Sequence, residues 1–193
     1  ARLRSECDAV AVVGFSMGGA LAVRLVRDTR LAPPEALVLA SPYFGVAHKW
    51  YYILTPETWT RLLSPFVPYL IKGKRFVRVN RAEAIPDIYS YQVVPMRSVL
   101  TLMAIAEDLR RRPLAAGPRR VLIVYAPGDD AADADLIRSA AGSWQIPESR
   151  RVVAARSNHH VFHDYDREEV FGRIVEFLRA AMPPRAVSPQ PPD

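Results

Sequence analysis

The sequence predicts an α/β fold, a parallel sheet covered by helices, and three observations carry that expectation. Short apolar runs rich in Val, Ile and Leu alternate with amphipathic stretches of helical period. The runs are nearly continuous in apolar residues, the pattern of strands buried on both faces of a parallel sheet. One long interruption, residues 43–118, breaks the alternation and is too long for a simple crossover connection.

The first run, Asp8 to Phe15 (DAVAVVGF), ends in a glycine-rich turn. From Gly18 to Asp28 the residues Leu21, Ala22, Leu25 and Val26 recur at helical spacing, with Arg24 and Arg27 on the other face. The unit is therefore strand, tight turn, helix. Further strands are expected at Ala36 to Ala40, Arg120 to Tyr125 and Arg151 to Ala155. Helices are expected at Asp135 to Trp144 and at Glu168 to Met182, the latter capped by Asp166 with Glu169 three residues on.

The interruption reads as an inserted cap. Residues 43–95 hold 11 of the 18 aromatic residues, which suits a packed lid or an apolar substrate pocket. Its last part predicts a helix with Ser98 as N-cap, an apolar face of Val99, Leu102, Met103, Ala106 and Leu109, and Arg110 to Arg112 at its C-terminus. The core is thus expected to comprise residues 1–42 and 119–182. The tail 183–193 is Pro-rich and is expected to be disordered.

Composition narrows the function. The net charge of +6 and pI near 9.8 invite an anionic partner, but 20 acidic residues are interspersed with the 26 basic ones, so nucleic acid is not expected. The single Cys7 excludes an internal disulfide, and its place before an apolar strand suits a buried structural thiol. No apolar stretch approaches the ~18 residues of a membrane span, and the expectation is a soluble, cytoplasmic protein.

Gly14-Phe15-Ser16-Met17-Gly18 places Gly-x-Ser-x-Gly between a buried strand and a helix, the pattern of a nucleophile elbow. Gly14 and Gly18 are expected to be required because a Cβ would collide with neighbouring backbone. A phosphate loop would need Gly at position 16 or a Gly-Lys pair, and neither is present.

A serine hydroxyl needs a base held by an acid, in chain order Ser, acid, His for this architecture. Loops after later strands supply both: Ala126-Pro127-Gly128-Asp129-Asp130 and Arg156-Ser157-Asn158-His159-His160. The loop 41–47 holds no Asp or Glu. Each candidate falls at the carboxyl end of a parallel strand, where separate strands converge on one crevice. The Met17 backbone N–H, at the start of the helix, is the candidate oxyanion donor. A metal site built on His163 and a neighbouring His lacks a second ligand cluster, and neither metal nor cofactor is expected.

From residue 8 to about 182 the chain resembles the C-terminal part of an α/β hydrolase. Gly-Phe-Ser-Met-Gly-Gly, the Ser-Pro after the next strand, Tyr-Ala-Pro-Gly-Asp and His-His-Val are similar to the monoacylglycerol lipase and carboxylesterase group. The resemblance implies Ser16 as nucleophile, Asp129 as acid, His160 as base, and a cap over an acyl pocket. It departs after the acid, where Ala131-Ala132 replaces the usual β-branched pair, so Asp130 and Asp133 stay in play. Asp129 is preferred for its position at the strand end, and His159 is the neighbouring rival of His160.

That family places further strands before the nucleophile strand, whereas seven residues precede it here. The expectation is a sheet lacking its first strands, with an open edge through which copies could associate, and with no place for a second oxyanion donor. The implied activity is hydrolysis of small esters with apolar acyl groups through an acyl-enzyme. A non-catalytic ligand-binding relative and an amidase or peptidase with the same triad are the alternatives.

Overall fold

In the computed structural model, residues 2–47, 53–72, 77–112 and 120–182 are described. A short helix α1 (Arg2–Glu6) precedes the strand β1 (Ala11–Phe15), which turns directly into α2 (Met17–Val26). The strands β2 (Ala36–Ala40), β5 (Val121–Tyr125) and β6 (Arg151–Val153) complete a four-stranded parallel sheet in the order β1-β2-β5-β6. The helices α5 (Ala134–Ser143) and α6 (Arg167–Ala181) follow β5 and β6.

β2 and β5 are buried along their whole length, as continuous apolar runs in the middle of a sheet should be. Their side chains alternate between two cores. Leu37, Leu39, Val121 and Ile123 pack with Val23 of α2 and Ile137 of α5, whereas Val38, Leu122 and Val124 pack with Val170 and Ile174 of α6. Helices therefore cover both faces, and truncating Ile123, fully buried, to Ala would cost about 2–5 kcal/mol.

β1 departs from the expected double burial. It pairs only with β2 among the described strands, which is the open edge expected of it, and Val13 is half exposed. It is also shorter than expected: at Val10 the N–H donates to the Glu35 side chain, Oε2 at 2.7 Å, while the carbonyl accepts from the Glu35 backbone N–H at 2.9 Å. Cys7 is exposed, not buried, since it ends α1 outside the sheet.

Between β2 and β5 the chain forms α3 (Pro56–Leu63), an antiparallel pair of β3 (Tyr69–Ile71) and β4 (Val93–Pro95), and α4 (Met96–Arg111). α4 adds Leu109 to the core beneath α2. Its N-cap is Pro95, three residues before the expected Ser98, and the N–H that Pro95 lacks is one a helix start leaves without an intrahelical partner. Of the three arginines at its end, Arg111 and Arg112 pair back to Glu107 and Asp108 one turn earlier, and Arg110 donates to the carbonyl of Phe44. The tail 183–193 lies outside the described residues.

Candidate active site

The turn from β1 to α2 forces Ser16 into a backbone that L-residues rarely adopt, with φ 51° and ψ −118°. Its ends are pinned: the Ser16 N–H donates to the Ala40 carbonyl at 3.0 Å, and the Ser16 carbonyl accepts from Gly19 and Tyr43, both at 3.0 Å. A Cβ on Gly14 would meet the Gly18 carbonyl at 2.6 Å, so that glycine is required as expected. Gly18 is different, because a Cβ there would point into open space. The second required glycine is Gly19, where a Cβ would meet Pro42 Cβ at 2.8 Å. The Ser-Pro pair after β2 thus lies against the first turn of α2.

Three side chains from the ends of β1, β5 and β6 form one chain of hydrogen bonds. His159 Nε2 lies 2.8 Å from Ser16 Oγ, and His159 Nδ1 lies 2.8 Å from Asp129 Oδ2. The carboxylate oxygen accepts, so Nδ1 carries the proton and Nε2 accepts from the serine hydroxyl. Asp129 Oδ1 accepts from the N–H groups of Ala131 and Ala132 at 2.7 and 2.8 Å, and its side chain is fully buried.

The histidine in this hydrogen-bonded line is His159, where His160 was expected. The two side chains leave the backbone in different directions, and only the first reaches between strand ends. The His160 ring packs on Phe15 at 5.5 Å and on His163 at 6.4 Å. Burial, then the neighbouring His159 and His163, drives its pKa down to about 4. Among the described residues no group of three or more His, Cys, Asp or Glu could hold a metal ion.

The rival acids have other work. Asp133 caps α5, its Oδ1 accepting from Asp135 and Leu136 N–H at 2.9 and 3.1 Å. Asp130 Oδ2 accepts from Asn158 Nδ2 at 3.1 Å. Asp166 does not cap α6 with its side chain: its carboxylate accepts from Arg156 Nε at 2.7 Å and Ser157 Oγ at 2.9 Å, fastening the loop before His159.

The acid loop is braced by the segment after β2. Val46 bridges Ala132, the Ala47 N–H donates to the Ala131 carbonyl at 3.2 Å, and the Asp133 N–H donates to the Gly45 carbonyl at 3.1 Å. Small residues at 131 and 132 are therefore compatible with a held carboxylate, since backbone bonds do the holding. Glu57 of α3 extends the brace by accepting from the Val46 N–H at 3.1 Å. Burial, and then the charge of Glu57, pushes the nearby Tyr43 phenol up to about 12, so it stays protonated. The Met17 N–H stands at the first position of α2, where no intrahelical carbonyl is available to it.

The sequence profile of the Alpha/beta hydrolase family matches residues 1–173. The chain belongs to the alpha/beta hydrolase family. No curated protein sequence matches it significantly. Among solved structures, a monoacylglycerol lipase from Paleococcus ferrophilus superposes with a TM-score of 0.73 at 16% identity, covering 94% of this chain and 72% of that one. A monoglyceride lipase from Saccharomyces cerevisiae gives 0.67 at 13% identity, covering 88% and 64%. A thermophilic esterase from Thermogutta terrifontis gives 0.61 at 19% identity, covering 93% and 68%. These likenesses establish the shared hydrolase fold. Sequence reading missed Asn80, Asn158, Asp164 and Glu57, whose partners lie 11 to 84 residues away or on the backbone and leave no motif.

Proposed function

We propose that this α/β hydrolase cleaves carboxylic esters through an acyl-enzyme formed on Ser16. The observation that carries the reading is the continuous hydrogen-bonded line from Asp129 through His159 to Ser16. His159 Nε2 takes the hydroxyl proton as Ser16 Oγ attacks the ester carbonyl, and the tetrahedral intermediate collapses as His159 returns that proton to the leaving alcohol. Water then attacks the acyl-enzyme with the same base. Asp129 keeps Nδ1 protonated and stabilises the imidazolium that forms.

The Met17 N–H is the proposed oxyanion donor, a position worth roughly 100-fold or more in rate. A preference for apolar acyl groups rests on the insertion, where Trp59, Phe66, Tyr69 and Ile71 expose apolar surface. That surface, together with the lipases and esterases among the structural neighbours, supports esters over other acyl compounds.

The test is turnover of p-nitrophenyl esters of increasing chain length, with aminoacyl anilides in parallel. Ester turnover that Ser16→Ala abolishes is the expected result. Anilide cleavage exceeding ester cleavage would favour an amidase, and no turnover of either would favour a ligand-binding relative.

A further inference from the structure

Asp164 is fully buried, yet its carboxylate takes no part in the line from Asp129 to Ser16. A buried carboxylate is costly unless its lone pairs are satisfied. Here four backbone N–H groups do so. Oδ2 accepts from Asn80 at 2.7 Å and Asn158 at 2.8 Å, and Oδ1 accepts from Arg81 and Tyr165, both at 2.9 Å.

Two of these donors belong to the segment joining β3 to β4, and one immediately precedes His159. Asn158 continues the network. Its Oδ1 accepts from the His159 N–H at 2.8 Å and from the Asp130 N–H at 3.0 Å. Its Nδ2 donates to Asn80 Oδ1 at 3.2 Å. Asn80 Nδ2 donates to the Arg156 carbonyl at 2.9 Å, and the His160 N–H donates to the Arg78 carbonyl at 3.0 Å. One polar network therefore joins segment 78–81 to the backbone of both the acid loop and the histidine loop.

We infer that Asp164 is a positioning residue for the proposed hydrolysis, fastening segment 78–81 to the histidine loop so that His159 Nε2 stays within reach of Ser16 Oγ. This rests on the proposed role of Ser16. The geometry requires an anion at 164: an Asn there presents an NH2 group to N–H donors that need an acceptor. The loop would then shift by about 1 Å to relieve that clash. A misplacement of about 1 Å costs a reacting pair on the order of 100-fold in rate. Substrate binding elsewhere in the site would be little changed.

The experiment uses the full chain. Ser16 labelling by a fluorophosphonate is timed in the wild type, Asp164→Asn and Asn80→Ala, alongside kcat and KM for p-nitrophenyl butyrate and thermal unfolding. Asp164→Asn is expected to lower the labelling rate and kcat about 100-fold with KM little changed. Asn80→Ala, at an exposed position, keeps the fold and removes two side-chain bonds of the network, from Asn158 and to the Arg156 carbonyl, and is expected to lower both about fivefold for each bond lost. If Asp164→Asn does not fold, Asn80→Ala decides. Folded variants that label and turn over at the wild-type rate overturn the inference and leave Asp164 a stability residue. A wild type that does not label at Ser16 overturns the proposed function itself, and the positioning role with it.

Discussion

His159 Nε2 stands 2.8 Å from Ser16 Oγ across 143 positions of sequence. Nothing local brings these atoms together. β1 and β6 are opposite edges of the described sheet, so the two side chains meet above the carboxyl ends of the strands between them. That placement makes His159 the proposed base. Replacing His159 with Ala should lower kcat by at least about 1,000-fold, as loss of a base from such a triad does. His160→Ala should keep activity within about tenfold, since its ring is engaged with Phe15 and His163. Steady-state kinetics on a soluble ester compares the two.

Asp129 and Asp133 separate by the quantity each controls. Asp129→Asn should reduce kcat by about 10,000-fold, because the amide favours the wrong imidazole tautomer. Asp133→Ala removes an N-cap and should cost about 1 kcal/mol of stability with kcat nearly unchanged. Urea unfolding and kinetics on both variants check this.

Gly18 and Gly19 should respond oppositely to alanine. Gly19→Ala drives a methyl to 2.8 Å from Pro42 Cβ and should destabilise by about 1–3 kcal/mol, because Pro42 has no flexible end to move aside. Gly18→Ala meets open space and should lie within about 0.5 kcal/mol of the wild type, or gain slightly from helix propensity. Thermal melts of the two single variants are sufficient.

His160 should make stability fall with acid in a window of its own. Burial first, and then His159 and His163, lowers its folded pKa to about 4, with Asp129 opposing, while the unfolded chain takes that proton near 6.5. Between those values the unfolded state binds more protons. Stability therefore declines as pH falls from about 6.5, and this contribution is fully lost below about 4. Tm measured from pH 7 to 4 should fall less steeply in His160→Gln than in the wild type.

The parts legible in the sequence were those that depend on local pattern. The continuous apolar residues of Ala36–Ala40 and Val121–Tyr125 announce buried strands, and Gly14-x-Ser16 between strand and helix announces the strained turn. The edge position of β1 is not visible in its own residues, because DAVAVVGF is as apolar as a central strand; the open edge is expected only from the family resemblance, which places further strands before it. His159 and His160 are indistinguishable by type and neighbourhood, and one residue of backbone rotation decides between them. The second required glycine is hidden for a similar reason: Gly18 and Gly19 are adjacent, and the collision partner, Pro42, comes from another strand end. Asp164 could not be found at all, since its four partners are backbone N–H groups that any sequence would supply.

The most direct test of the account is the site of covalent modification by a fluorophosphonate, mapped by mass spectrometry of the labelled chain. A single adduct on Ser16 is expected, lost in Ser16→Ala, strongly slowed in His159→Ala and retained in His160→Ala. An adduct on another residue, or labelling of Ser16 that is indifferent to His159, would contradict it.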